Sequence, residues 1–543
     1  MGSIIGKRVN GRTYYYYAES RRVDGKPRVT GQRYLGTAEE VARLGGAAAE
    51  PERTRHLEFG RVAAVRGALR RLDVAGVVDR IVGRQRTRVS AGTHLELAVL
   101  HRICGPGRDL ADWWSGTAAD RFARPRPPEE AFDRARFWRA ARRLGPDERE
   151  AIERAVAGEL AARLDPGGGP LPALVVDVPN FATSVPPEST ATAAGVSLLV
   201  SRHGAVPLAA SGYRCGERGS YCAAAEELAQ RHRRRGGDAE VTLVFDAGQQ
   251  AQLDLDRGLH FVGGLLPADH PELLAHAAGA RSPVDPQRLP GVSALDTRAQ
   301  VSGVNRRVLV THSETLHSAQ LRGFTQALNH ATRQLDGLAE SLRSGAQRSG
   351  AQRHTREQVL SEVARITRVR WVDRVLQTQL TGSRPGELRL DWRIDDAARS
   401  RLDAEFFGKQ LLVTDRDEWD AAAVVTAYRA RNHLDSSFRR INEPAGAVGA
   451  RECSDEQIAV DRLVSVLAVS VLHLMRQEAD RAGLDLSVRE LLDQLDGIEE
   501  TALRYPSTGG RPRTRRLLTD RTETQQQLFD LFGLGDFAPR SRK

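Results

Sequence analysis

Between residues 173 and 265 short apolar runs follow one another closely, and no other feature limits the possible folds as sharply. The first, ALVVDV (173–178), is β-branched and carries an acid near its end. VSLLVSRHGAVPLAASGY (196–213) continues with two strand-like runs joined at His203-Gly204. AEVTLVFDAGQ (239–249) is again apolar and ends in an acid with a glycine two residues on, and GLHFVGGL (258–265) reads as a further buried strand. This succession gives the chain an α/β character. In open α/β sheets ligands and metals gather beyond the carboxyl ends of the strands. Asp177 and Asp246 stand at two such ends, so both are candidate metal ligands. The plain structural alternative for each is an aspartate that caps the next turn.

At 543 residues the chain exceeds one ordinary core and predicts several domains. RTYYYYAESRRVDGKPRVTGQRYLG reads as a β-hairpin turning at Asp24-Gly25, in an N-terminal region 1–57. Residues 58–165 are helical in pattern and rich in arginine. DPGGGPLP (165–172) is a linker, and the first part of the α/β core is placed at 171–290. Over 291–405 the rhythm loosens into a separate domain: a strand RRVLVTHS, a polar helical stretch, a duplicated connector SGAQRSGAQRHTRE (344–357) and a strand-like ELRLDWRID (387–395). The core resumes over 406–500 with the strand KQLLVTD (409–415) and a helix from near Glu418. LVSVLAVSVLHLM (463–475) is short for a membrane span and suits a buried core helix. Residues 501–543 read as a basic, loosely patterned tail.

The formal net charge is +10, which favours an anionic partner. Lysine occurs only at Lys7, Lys26, Lys409 and Lys543. Almost all basic charge is therefore arginine, as a GC-rich coding sequence would produce, and a single arginine is weak evidence of phosphate binding. Cys104, Cys215, Cys222 and Cys453 have neither metal-ligand nor disulfide spacing. The opening MGSIIGKRVNGRTYYYY lacks the apolar run of a signal peptide. A soluble, cytoplasmic protein is expected, with no membrane partner.

The stretch AYRARNHLDSSFRRIN (427–442) supplies a third candidate acid. On a helix, with Tyr428 at zero, Arg431, Asp435 and Asn442 fall at about −60°, −20° and −40°. Val424, Leu434, Phe438 and Ile441 lie at about −40° to −140° on the same wheel. A polar stripe overlapping the apolar edge is aimed at a cleft or buried junction rather than at open solvent. Three carboxylates, Asp177, Asp246 and Asp435, in strand, strand, helix order suit hard divalent cations, which prefer oxygen ligands. A pair of such ions about 3.5–4 Å apart can clamp both oxygens of a phosphoryl transfer.

With these residues in register, the chain resembles the DDE transposases of bacterial insertion sequences, specifically the long-chain branch of the "insertion sequence four" group. The last catalytic helix of that group reads Y-x2-R-x3-E-x6-K, and Tyr428, Arg431, Asp435 and Asn442 occupy the four places. VVDVPNF resembles the group's D-x-T-N-F strand end, VFDAG its second block, and GLHFVGGLLPADHPELL and the tyrosine-rich opening are similar to its long-chain members. The resemblance implies a ribonuclease-H-like mixed-sheet core interrupted by a β-rich insertion domain, with an N-terminal hairpin and a helical DNA-binding domain. The 189 positions between Asp246 and Asp435 fit such an insertion. It further implies that Asp177, Asp246 and Asp435 hold two Mg²⁺ ions, with Mn²⁺ able to substitute. Tyr428 and Arg431 would contact DNA near the scissile phosphate, with Arg439, Arg440 and Asn442 as further DNA-binding residues. The implied reaction is in-line attack by water and then by a 3′ hydroxyl, cutting at element ends and joining them to target DNA. The implied partners are terminal inverted repeats, target DNA and, in a synaptic complex, a second copy of the chain, working on the nucleoid in a bacterial cytoplasm.

The sequence departs from the pattern in four places. Asp435 is one methylene shorter than Glu, a loss of roughly 1.5 Å of reach. Pro179 stands in place of Thr, Asn442 in place of Lys, and Asp461 where relatives tend to carry His. Two other readings stay open: a transposase that binds its ends without cutting, and a stand-alone nuclease on the same core. His260, His270 and His276 lack metal-site spacing and read as polar residues around a strand and turn. Trp113 and Trp114 read as core.

Overall fold

The computed structural model describes residues 2–9, 12–23, 26–37, 51–83, 89–124, 126–141, 143–166, 171–178, 194–214, 220–236, 240–247, 258–275, 278–347, 354–442, 455–506 and 513–539. Asp24, Gly25, Pro179, Cys215, His276 and Cys453 lie outside them. In chain order the strands are β1 (Gly2–Val9), β2 (Arg12–Val23), β3 (Lys26–Thr37), β4 (Arg53–Glu58), β5 (Ala173–Val178) and β6 (Ala194–Ser201). They continue as β7 (Pro207–Arg214), β8 (Val241–Phe245), β9 (His260–Leu265), β10 (Ser282–Pro283), β11 (Val292–Val301) and β12 (Val304–Ser313). The last are β13 (Leu376–Thr381), β14 (Arg389–Ile394), β15 (Lys409–Thr414), β16 (Glu499–Tyr505) and β17 (Arg513–Leu518). The chain falls into two compact units, Val65–Trp113 with Ala123–Leu492, and Met1–Ala64 with Trp114–Phe122 and Asp493–Lys543.

In the first of these units nine strands form one mixed sheet in the order β10-β11-β12-β15-β9-β8-β5-β6-β7. β5, β8 and β9 are parallel neighbours at its centre. β6 and β7 extend it antiparallel beyond β5, and β15, β12, β11 and β10 extend it antiparallel beyond β9. Every residue of β5 and of β8 is buried, which is why those runs are continuously apolar rather than alternating. Between β7 and β8 the helix Ser220–Gly236 packs over β7, β6 and β5, the crossover that a return to a parallel strand requires.

The helix Ala421–Asn442 lies against β5, β8, β9 and β15. Behind it runs Asp455–Arg481, which also packs on β7 and on the helix Ala91–Cys104. Residues 463–475 are buried throughout. By length and composition this helix could cross a membrane, but 78% of its most apolar stretch is buried inside the protein.

The structure corrects the expectation of a β-rich insertion. β11 and β12 belong to the main sheet, and the chain then leaves it until β15 returns beside β12. The excursion carries the 34-residue helix Glu314–Gln347, the helices Arg356–Thr367, Val372–Val375 and Asp396–Glu405, and one hairpin, β13-β14. Phe324, Leu328, Ala331, Leu335, Ala339 and Leu342 recur at three- and four-residue steps and are buried in a cluster of the excursion's own, the period of a helix face. The connector read at 344–357 includes the start of a helix: Thr355 and Gln358 form a capping box for Arg356–Thr367.

The second unit holds two three-stranded sheets, β1-β2-β3 and β17-β16-β4. β2 and β3 form the anticipated hairpin, Val23 pairing with Lys26, and β1 adds a strand that the sequence pattern did not mark. The stretch read as a loose tail is ordered into β17 and the helix Glu523–Leu531. Glu500, fully buried, accepts from Arg121 at 2.6 Å and from Arg516 at 2.5 Å. The basic character of the tail was visible in the sequence, and the acid that joins its Arg516 to the distant Arg121 was not.

Candidate active site

β5 and β8 run side by side with Val176 opposite Val244, so Asp177 comes level with the end of β8 and Asp246 follows it. Both acids therefore sit at the carboxyl ends of neighbouring parallel strands. Asp177 is fully buried. Its Oδ1 accepts from the Tyr213 hydroxyl, which reaches over from β7. That reach depends on Gly195, the residue of β6 opposite Tyr213. A Cβ at Gly195 would stand 2.1 Å from Tyr213 Cζ, so any side chain there would lift the ring off the strand. A carboxylate out of water needs such a donor, since burying an unpaired charge costs several kcal/mol, to order of magnitude about the worth of a whole domain's stability margin. Tyr221 packs its ring 5.5 Å from Tyr213 and donates to Val244 O at 3.1 Å. Burial, then the charge of Asp177, push the Tyr221 phenol well above its ordinary range, so it remains a donor.

Asp246 is 44% exposed. Its Oδ1 accepts from Ala247 N at 2.9 Å and from the Tyr428 hydroxyl at 3.2 Å, and its Oδ2 lies 3.1 Å from Arg431 Nη2. Tyr428 and Arg431, three positions apart on one helix face, thus both point at the second acid. β9 makes room for them: a Cβ on Gly264 would meet the Tyr428 hydroxyl oxygen at 2.6 Å. Burial, then the neighbouring charge of Asp246, raise the Tyr428 phenol above its ordinary range.

Asp435 follows Arg431 by four positions, one helical turn along the same stripe. Its Oδ2 is 2.5 Å from Arg439 Nη2. The anticipated DNA-binding set is divided by the fold. Tyr428 is buried and Arg431 nearly so, whereas Arg439 is 72% exposed. Arg440 is half-buried. Asn442 ends the helix, with its side chain outside the described residues. Asp461 forms an ion pair with Arg102, and Trp113 and Trp114 are core residues, 1% and 5% exposed. His260 lies 2.9 Å from Asp415 and His270 3.3 Å from Glu272.

No protein-family model matches the sequence, and the search of curated proteins finds no match.

Among the described residues no group of three or more His, Cys, Asp and Glu side chains is gathered closely enough to hold a metal ion. Asp177 and Asp246 stand at the carboxyl ends of neighbouring parallel strands. Their chemistry fits Mg²⁺, which commonly takes one or two carboxylates and completes its shell with water and substrate phosphate. Sequence reading missed Tyr213, Tyr221, Gly195 and Gly264. A glycine facing a tyrosine across two strands was the available signal, and it is visible only once the register is known.

The helix that carries Tyr428 and Arg431 is anchored from behind. His473 Nδ1 lies 3.1 Å from Gly204 O, and its Nε2 lies 3.0 Å from Ser437 Oγ. The carbonyl can only accept, so Nδ1 carries the proton and Nε2 faces the hydroxyl as a lone pair. Burial pulls the imidazole down to about 3. The unfolded chain then binds the extra proton first as pH falls, so this contribution to stability is complete above the ordinary value near 6.5 and declines toward 3. We expect urea midpoints to fall between pH 7 and pH 5, with this residue contributing about 1.4 kcal/mol per pH unit below about 6.5. His473→Gln should flatten that slope, and an unchanged slope would contradict the assignment.

Proposed function

We propose that the chain is a Mg²⁺-dependent transposase with a ribonuclease-H-like core, cutting at insertion-sequence ends and transferring the strand into target DNA. One observation carries the reading: the antiparallel strands β5, β6 and β7 and the parallel β8 and β9, in the order β7-β6-β5-β8-β9, bear acids at the ends of β5 and β8, with Tyr428 and Arg431 of a later helix closing on the second acid. The excursion between β12 and β15 stands where the resemblance implies an insertion domain. Asp177 and Asp246 would hold the cation, which when bound neutralises the scissile phosphate and makes water a stronger nucleophile. Tyr213 and Tyr428 orient the two carboxylates through their hydroxyls. Arg431 and Arg439, now paired with carboxylates, are placed to exchange those partners for DNA phosphates, an exchange suited to the planar guanidinium fork. The setting is bacterial nucleoid DNA, with terminal repeats, target DNA and a second copy of the chain as partners.

One observation favours the non-cutting alternative. Asp435, the third acid of the pattern, is engaged by Arg439. The test is cleavage of labelled duplexes taken from either side of the coding region, in Mg²⁺ and in Mn²⁺. Binding to them should weaken steeply with salt, by roughly 10³-fold or more between about 50 and 200 mM, as expected for six or more phosphate contacts. Binding indifferent to that change counts against any DNA-handling role. Steep salt dependence with no cleavage in either metal leaves the binding-only reading.

A further inference from the structure

Away from the paired acids, the helices Ala91–Cys104 and Arg134–Ala141 wall a cavity of about 390 Å³, within the size range of small-molecule sites. His94 and His101 both line it, seven positions apart and so on one helix face. His94 is only 6% exposed, yet its Nδ1 has no hydrogen-bond partner among the described residues, and neither has Nε2 of His101. Burial lowers both imidazoles below their ordinary value, so each is neutral, with one N–H and one lone pair. His101 hydrogen-bonds to the Arg108 backbone, which leaves Nε2 as a bare acceptor in want of an N–H. The opposite wall is aromatic: Phe137 and Trp138, ring centroids 5.0 Å apart, are both only part-buried. Arg134 and Arg108 are exposed at the same cavity, and of the two acids that would repel an anion, Asp461 is paired with Arg102 and Asp109 accepts from the backbone N–H groups of Ala111 and Asp112.

Unmet hydrogen-bonding nitrogens deep inside, flat apolar rings beside them and a cation at the exposed edge define a planar, N–H-bearing ring that carries an anionic group. We propose that the cavity binds one nucleotide, its base against Phe137 and Trp138 and its phosphate at Arg134. The occupant is either a free nucleoside monophosphate or a single unpaired nucleotide of a strand. Neither the paired acids nor a metal takes part, so the site stands or falls separately from the transposase reading.

The test is calorimetric titration of the full chain, without divalent metal, using AMP, adenosine and inorganic phosphate in turn. AMP should bind more tightly than adenosine, and phosphate alone should bind weakest. Trp138→Ala should weaken AMP by roughly 5- to 100-fold, the range for losing one base–aromatic stack. Arg134→Ala, at an exposed position that leaves the fold intact, should weaken AMP but leave adenosine unchanged. Competition by a duplex with one unpaired adenine, and not by its fully paired counterpart, would identify the strand as the source. AMP binding without such competition would identify the free nucleotide. If neither AMP nor the bulged duplex binds, or if binding ignores both substitutions, the proposal is overturned whatever the cleavage assays give.

Discussion

We expect Asp246→Asn to abolish Mg²⁺-dependent cleavage of end fragments while leaving their binding nearly unchanged. Asparagine keeps the shape and can still cap Ala247 N through its carbonyl, but it lacks the charge that a hard cation selects. Changes one shell further from a metal already cost about 10- to 100-fold, so loss of the ligand itself should cost at least ~100-fold. The position suits the test. Asp246 is 44% exposed, and its replacement should disturb folding little. Asp177 is a poorer choice, because it is fully buried under Tyr213 and its loss would confound stability with chemistry. The measurement is a cleavage time course beside an equilibrium binding curve. Cleavage surviving at the native rate would reduce Asp246 to a turn cap and remove the metal site from the account.

Asp435→Glu should raise cleavage. The longer side chain restores roughly 1.5 Å of reach, and a misplacement of about 1 Å can be worth ~100-fold in rate. Arg439→Gln should act in the same direction by another route, since it releases the carboxylate that Arg439 now holds at 2.5 Å. Mn²⁺, which accepts looser geometry, should help the native protein more than the Glu variant. Asn442→Lys should tighten end binding and leave the chemical step largely alone, because phosphate contacts position DNA. A fall in activity on Asp435→Glu would mean that the site is built around aspartate.

The centre of the sheet was legible in the sequence because β5, β8 and β9 are buried on both faces and so had to be written in continuous apolar residues. The helix 421–442 was legible for a related reason: its polar stripe borders Leu434, Phe438 and Ile441, and the structure aims Tyr428 and Arg431 inward where the stripe pointed. Pattern reading did not mark β1, although Asn10-Gly11, between the paired residues Val9 and Arg12, is as clear a two-residue hairpin signal as the Asp24-Gly25 that marked its neighbour. Nor could it foresee that Tyr213 crosses Gly195 to reach Asp177, since that contact depends on a register set by three strands. The helical character of 314–405 was present in the three- and four-residue spacing of Phe324, Leu328 and Leu335. The strand-like 387–395 was also read from the sequence and is β14; only the family resemblance made the whole stretch β-rich, and the period of the apolar residues was the better guide.

The position of β15 has a consequence for how the chain assembles. Thr311 bonds to the carbonyl of Gln410, 99 residues further on, so the strand that joins the two halves of the large sheet arrives late in the chain. Closing a flexible loop of that length carries an entropic penalty that grows with the logarithm of its length, and such distant pairings slow folding. The excursion shortens that search. Its apolar cluster draws on residues from Phe324 to Phe407, so it can condense by itself and bring Lys409 back to the place where Ser313 left the sheet. That connectivity favours an order in which the helices form first, β15 second, and the helix bearing Tyr428 and Arg431 third, so that these two side chains reach the second acid once the sheet beneath it is in place.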